Sequence, residues 1–417
     1  MSTQILALFA CFFLFPMDFI GFLPGAAPAP PAPVRATAFT LRKERGKVRG
    51  MEIKELAEGL GKITDPRRAW GNKRHKLEDI LVMGLCTIVC GGEDFTDMEN
   101  FGQERESWLR GFLELPNGIP DADTFRRVFE RVDPQELSEV LRDWIGNWRQ
   151  DGAVVSIDGK TIRGSGNSRH KAYHVVSAFV SENHITLGEL KTEEKSNEIT
   201  AVPELLDLLD IKNCIVTADA MSCQRAIAHK VREKGAEYVL SVKENQPNLL
   251  ESIRDYFSAF THDCRFEQTV EKNHGRIEKR KYFLETDLDW FEERVGWNGL
   301  HGIGAVCSRV EEKGQTRTET RYYITSLRDV SSFAYAVRGH WGIENNLHWC
   351  LDVAFGEDSS RARKDNSPLN LNVLRKTALP MLKNADLGRM GLKKKMFRAA
   401  LSTDTLSFIL NPQPLKK

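Results

Sequence analysis

The spacing of hydrophobic and polar positions changes its period along the chain. Between residues 51 and 150 the period is helical. HKLEDILVMGLCTIVCGG (75–92) carries an apolar face that stops at Gly91 and Gly92, a natural helix end. FTDMENFGQERESWLRGFL (95–113) repeats the amphipathic spacing, with Phe101, Trp108 and Leu109 as core positions. After the turn LPNGIP (115–120), DADTFRRVFERV (121–132) and DPQELSEVLRDWIGNW (133–148) read as two further helices. Asp121 or Asp123 serves as N-cap of the first, and Asp133 caps the second with Pro134 at its first helical position.

From 151 to 247 strands take over. The apolar run AVVSID (153–158) ends in the polar turn GKTIRGS, and AYHVVSAFV (172–180) and HITLGEL (184–190) predict a hairpin. NEITAVPELLDLLDI (197–211) is helical, and NCIVTAD (213–219) is a short strand of the buried kind. MSCQRAIAHKVREKG (221–235) is a helix closed at Gly235, and AEYVLSVK (236–243) is another strand. Three strands, helix, strand, helix, strand predicts an α/β fold, a mixed sheet with helices on its faces in the order of a ribonuclease-H-like fold. That order sets the ends of the first and fourth strands side by side.

Residues 248–330 hold EKRKYFLET (278–286), GIGAVCSRV (302–310) and RYYITSL (321–327) between polar turns, and read as a mostly β insertion. The expected organisation is an extension over 1–50, a helical N-terminal domain over 51–150 and the first part of the core over 151–247. The insertion over 248–330, the last core helices over 331–385 and a basic tail over 386–417 follow. The helical domain is expected to contact DNA, to dimerise or to play a purely structural part.

Residues 5–15, ILALFACFFLF, are continuously apolar and lead to GAAPAPPAP (25–33). A signal peptide would have a basic stretch before the apolar run, and this segment has none. The run is also too short to span a bilayer. The expectation is an upstream extension with Met51 as the working start, and a cytoplasmic, nucleoid-associated protein without a membrane partner.

A net charge of +1 gives no global attraction for nucleic acid, so a binder must cluster its cations. They cluster at 41–49, 66–76 and 391–398. The eight cysteines contain no CxxC pair, which argues against a zinc module or a disulfide scaffold.

Against this background three carboxylates carry the chemistry. Asp158 and Asp219 each close an apolar strand, and Glu344 lies in the helical segment RGHWGIENNLHWCLD (338–352). Two acids at neighbouring strand ends and a third from a packed helix can hold two divalent cations against one phosphate. Residues four apart share a helix face, so His340, Glu344, His348 and Asp352 form one polar stripe. Zinc fits poorly, because the His-Glu-x-x-His order is absent, whereas an oxygen-rich set suits Mg2+. The histidines are expected to contact phosphate or to orient Glu344.

Six strings in order resemble the H-repeat-associated family of insertion-sequence transposases, of the DDE superfamily. They are LPNGIPDADTFRRVF (115–129), SIDGKTIRGS (156–165), EEKSNEITAVPELLDLL (193–209), TADAMSCQRAIA (217–228), YVLSVKENQP (238–247) and RGHWGIENNLHWCLDVAFGED (338–358). The resemblance runs from about Asp65 to about Lys383. It implies a ribonuclease-H-like core, two Mg2+ ions for which Mn2+ can substitute, and cutting and joining of DNA at element ends. The implied triad falls on Asp158, Asp219 and Glu344. Related transposases place a tyrosine and an arginine before the glutamate and a lysine seven residues after it. Here those positions hold Val337, His340 and Leu351, and Arg338, His340 and His348 are candidate substitutes. Lys160, Arg163, Lys243, His274 and Arg276 complete the expected DNA contacts. The implied partners are the terminal inverted repeats and target DNA, bound by a homodimer. The alternatives are a nuclease of the same core that cuts without joining, and a catalytically decayed DNA-binding copy.

Overall fold

The computed structural model describes residues 53–411 apart from 69–72, 146–150, 169, 193–197, 261–263 and 274. The expectations for the apolar extension, for the basic stretch 41–49 and for His274 therefore lie outside the described residues. Five helices come first: α1 (Ile53–Leu60), α2 (Leu77–Val89), α3 (Phe95–Leu109), α4 (Ala122–Phe129) and α5 (Pro134–Ile145). The central part runs β1 (Val154–Ile162), β2 (Tyr173–Val180), β3 (Ile185–Thr192), α6 (Glu198–Leu208), β4 (Ile215–Ala218), α7 (Arg225–Glu233) and β5 (Glu237–Val242). Next come α8 (Pro247–Phe260), β6 (Arg265–Asn273), β7 (Arg276–Glu285), β8 (Gly302–Glu312) and β9 (Gln315–Thr325). The chain closes with α9 (Val330–Gly342), α10 (Ser367–Asn384), α11 (Leu392–Leu401) and α12 (Thr403–Leu410).

The helix starts follow from short polar side chains that satisfy the first free N–H groups. Asp121 accepts from the Thr124 amide at 2.7 Å, and Asp133 accepts from those of Gln135 and Glu136. α2 ends where Gly91 turns left-handed at φ 89°. These helices do not build a core of their own. α2 is buried along nearly its whole length by α10, and their shared core takes in Ile343, Leu347 and Leu351 from the segment that carries Glu344. Part of the basic stretch 391–398 is internal as well. Lys395 is buried and donates to the carbonyls of Leu382, Lys383 and Ala385, closing the end of α10.

The sheet has nine strands in the order β3-β2-β1-β4-β5-β9-β8-β7-β6. β1 runs antiparallel to β2 and parallel to β4, and β4 runs parallel to β5. This is the mixed, ribonuclease-H-like arrangement expected. The structure adds two details to the sequence reading. β9 pairs with β5, so the insertion strands extend the core sheet. The segment also begins with α8, whose buried Leu249, Leu250, Ile253 and Phe257 have helical spacing that the mostly β reading omits.

Each face of the sheet is covered. Val155, Ile157, Val216 and Leu240 share a core with α6, α7 and α8, whereas Val154, Ile215 and Val239 meet Phe333, Ala336 and Val337 of α9. α9 approaches β1 closely because it presents glycines there. A Cβ on Gly339 would stand 3.0 Å from the Val154 side chain, and one on Gly342 would stand 1.9 Å from Ser181 Oγ. Beyond Gly342 the helix continues in π form over Ile343–His348 and again over Cys350–Ala354. Such winding is rare and concentrates at functional sites. Among the described residues, no helix is long and apolar enough to cross a membrane.

Candidate active site

The β1–β4 ladder places the two aspartates. Its last parallel pair is Ile157 with Ala218, so Asp158 and Asp219 are the next residues on neighbouring strands. Both project to the face covered by α9, because side chains alternate along a strand and Val154 and Ile215 already point there. The sequence expectation of a strand ending at Asp158 is corrected here. β1 continues to Ile162, since Gly159, Lys160, Thr161 and Ile162 pair with β2 after β4 has ended. Asp158 thus stands within a strand that has lost its partner on one side, while Asp219 leads into a short 3-10 turn over Ala220–Ser222.

The electrostatics tie the three acids together. Burial, and then the charges of Glu198, Asp219 and Glu344, push the Asp158 carboxyl up to about 7, against the opposing hydrogen bond from the Gly159 amide. Glu344 is also raised, by burial and by Asp219, although Arg321 and Lys243 oppose the shift. Burial works against ionisation of Asp219 too. Its bond from the Ala220 amide and the Lys243 ammonium, 3.4 Å away, nevertheless hold it below the usual carboxylate range. Asp219 is therefore the anchor anion, and its two neighbours resist ionising beside it.

The stripe predicted on the Glu344 helix meets the sheet residue by residue. His340 Nδ1 lies 2.9 Å from Thr217 Oγ1, whose hydroxyl donates to Ser156 Oγ at 3.2 Å. Thr217 has one hydroxyl proton, so with that proton on Ser156 the histidine must donate from Nδ1. His348 Nδ1 stands 3.5 Å from Asp158 Oδ2. Asp352 accepts from the Lys160 ammonium at 2.7 Å. Burial depresses His340 to about 4 and His348 to about 3, so both rings are neutral at pH 7. Neither is a surface cation reaching for phosphate. His348 instead leaves its Nε2 buried without a hydrogen-bond partner beside the acids.

The remaining predicted contacts divide by exposure. Lys160 is only 11% exposed and is held by Asp352, Glu357 and Asp358 at 2.7, 3.3 and 3.6 Å. A cation already shared by three carboxylates has little left for a phosphate, so its structural part is to tie β1 to the segment after the π-helix. Arg163 is 80% exposed, 3.9 Å from Asp358. Arg276 pairs with Glu278 at 3.0 Å at the β6–β7 turn. Arg338 forks onto Glu271 at 2.8 and 3.0 Å, joining α9 to β6. Arg276 thus sits on the inserted part of the sheet, and Arg338 reaches that part from α9.

Sequence reasoning does not single out Glu198 or His174. Glu198 Oε1 lies 2.6 Å from His174 Nε2, and His174 Nδ1 lies 3.0 Å from Thr161 Oγ1, all on the far side of β1. The cluster presses on Gly159, where a Cβ would meet Glu198 and His174 atoms at 2.4 Å. In the sequence, Glu198 reads as an ordinary acid of a first helical turn. Only tertiary packing buries it beside Asp158.

The three acids offer carboxylate oxygens in one repulsive field, which suits a hard divalent cation, with the His348 ring beside them. Among the described residues, no three His, Cys, Asp or Glu side chains form a ready-made ion cage. The mutual repulsion of the acids has a measurable sign. A raised aspartate favours the neutral form in the fold, so its stability is full below its ordinary value of 3.8 and is lost as pH rises through about 7. Without divalent ions, Asp158→Asn is expected to raise Tm by about 2–5 °C at pH 8 and by almost nothing at pH 4. Differential scanning calorimetry in EDTA checks this, and equal Tm values at pH 8 would refute it.

The nine-stranded mixed sheet covered by helices, with Asp158 in β1, Asp219 just past β4 and Glu344 just past α9, has the ribonuclease-H-like architecture of DDE transposases. The chain belongs to the Transposase DDE domain family, which matches residues 149–379, and the DDE_Tnp_1-associated family matches residues 57–145. It is 38% identical over 374 residues to YncI of Escherichia coli O157:H7, covering 86% of this chain and 95% of the relative. It is 36% identical over 375 residues to the H repeat-associated protein YhhI of Escherichia coli strain K12, covering 86% and 98%. The piggyBac transposase synaptic complex with hairpin DNA aligns over 85% of this chain and 78% of its own at 12% identity. Its TM-score is 0.36, too slight a likeness to add to the description.

Proposed function

We propose that this transposase cleaves DNA at the ends of an insertion sequence and joins the freed 3′ ends to target DNA, with Asp158, Asp219 and Glu344 as its catalytic acids. The observation that carries this reading is the β1–β4 ladder, which delivers the two aspartates next to each other on the face where Glu344 packs. The three acids would hold Mg2+, or Mn2+ in its place. Bound there, the ions supply Lewis-acid stabilisation of the phosphoryl oxygens and a lowered pKa for the attacking water.

The other residues do positional work. His348 limits where the Asp158 carboxylate can turn, and the His340–Thr217–Ser156 chain fixes the helix against β4 and β1. Lys243 keeps Asp219 ionised, so one acid is always charged when substrate arrives. Arg321, stacked 4.5 Å over the Trp341 ring, draws the neighbouring Glu344 toward its ionised form. Both steps are in-line displacements, so holding charges and oxygens in place is most of the catalysis. Acting on two ends calls for two active sites, and a homodimer on DNA supplies them.

The test uses the full chain with duplexes carrying the inverted repeats that flank its reading frame. With Mg2+, intact ends should be cut and precut ends joined to a target plasmid. Cutting without joining would replace the transposase reading with a nuclease. A salt-dependent gel shift with neither reaction would leave a DNA-binding protein.

A further inference from the structure

A second cleft lies on the same face of the sheet as the acids. It encloses about 650 Å3 at the far end of β1, where Lys171, Lys191, Arg363 and Lys364 line it with Tyr173 and a single carboxylate, Asp365. The strand register fixes its orientation. Lys160 lies opposite Val175, Val175 opposite Lys191, and Ile162 opposite Tyr173. Directly paired residues point to one side. Lys191 and Tyr173 therefore share the face of Asp158 and Lys160. From Asp158 to the end of β1 is four residues, about 13 Å of strand. The cleft opens just beyond, on the order of five base pairs from Asp158 at about 3.4 Å per pair.

Its cations are held in place before any ligand arrives. Arg363 Nε donates to the Gly164 carbonyl at 3.0 Å, and the Lys191 ammonium stands 4.1 Å over the Tyr173 ring. Lys364 contacts Glu130 at 2.8 Å but remains 66% exposed. Arg126, 2.9 Å from the buried Glu130 carboxylate, keeps that acid paired when a phosphate draws Lys364 away. The wall itself cannot retreat, since a Cβ on Gly164 would stand 2.4 Å from the Ser360 carbonyl oxygen. Ser165 Oγ accepts from the Tyr173 amide at 2.8 Å and donates to the Ile162 carbonyl at 2.6 Å. Groups already fixed lose less entropy on binding.

We infer that this cleft binds the phosphate backbone of the DNA leading away from the scissile phosphate, through Lys191, Arg363 and Lys364. The inference rests on the proposed function for the position of the scissile phosphate, and it adds a separate anchoring site on the same sheet face. A row of cations beside the acids offsets the repulsion that three carboxylates exert on an approaching polyanion, and it holds the duplex in register.

The experiment measures binding of an element-end duplex to the full chain by fluorescence anisotropy, in EDTA, over a series of salt concentrations. Lys191→Ala/Lys364→Ala should lower the slope of log K against log salt by about 1.8, and Lys191→Arg/Lys364→Arg should restore it. Trimming the duplex at the scissile phosphate, from one side or the other, should weaken the wild type on one side and leave the double alanine variant unaffected there. An unchanged slope in a variant with wild-type circular dichroism and Tm would overturn the inference. An altered slope that ignores both trims would overturn it too. Because no cleavage is read, the two readings fail separately. Cleft-dependent binding by a protein that never cuts would sink the catalytic proposal alone.

Discussion

Replacing Asp158, Asp219 or Glu344 by alanine is expected to lower Mg2+-dependent strand cleavage by about 10³-fold or more, since each acid contributes to several kcal/mol of charge stabilisation. DNA binding in EDTA should be retained or strengthened, because each substitution removes a negative charge from a surface that must receive phosphate. The three variants should not behave alike without metal. Asp219 is the acid held ionised, so its loss relieves the repulsion that raises both Asp158 and Glu344. Quantitative cleavage of labelled ends, with anisotropy beside it, separates chemistry from binding. Wild-type cleavage by any one variant would take that residue out of the site.

The second large effect is expected on stability rather than on chemistry. Glu357 is fully buried between three partners: Lys160 at 3.3 Å, Arg375 at 3.7 Å and the Asn372 amide at 2.7 Å. Arg375 is itself 1% exposed, with Nε and Nη2 buried and lacking hydrogen bonds. Burial already lowers the guanidinium below its ordinary value, and the Glu357 charge, ahead of that of Glu93, opposes this. Glu357→Ala strands a buried cation, which typically costs about 3–5 kcal/mol. Urea denaturation should show that loss, with Tm falling by on the order of 10 °C. Glu357→Gln can keep the Asn372 bond but not the charge, and should lose most of the same stability. A cost below about 1 kcal/mol would show that the network is not what fastens the segment after the π-helix to β1.

Much of the fold was legible because local physics and tertiary packing agree along it. The caps at Asp121 and Asp133, the stop at Gly91 and the turn at Gly235 are all set within a few residues of themselves. The buried β4 is apolar apart from Thr217 because both its faces are covered. α8 was missed because its residues lie between strand-like segments, and only the neighbouring layer shows which of its positions are buried. The length of β1 was misjudged for a similar reason. GKTI looks like a polar turn, yet β2 supplies the pairing that keeps it extended.

The candidate site divides in the same way. Residue type and order pointed to Asp158, Asp219 and Glu344, since carboxylates at the ends of apolar runs and on a helical polar stripe are visible in one dimension. What surrounds them was not. Lys160 reads as an exposed cation until Asp352, Glu357 and Asp358 are brought to it from nearly two hundred residues away. His340 and His348 read along the chain as phosphate contacts or as residues that orient Glu344, and only burial shows that both rings are neutral. Glu198 reads as a helix-start acid until packing sets it against Gly159.

By itself, the amino-acid order determined the strand and helix succession, the acids on offer and the family they resemble, because these depend on periodicity and on neighbours a few positions apart. The tertiary structure alone decided which charges are spent inside the protein and which remain for a ligand. Burial and ion pairing are properties of distance in space, and a chain read in line carries no measure of that distance.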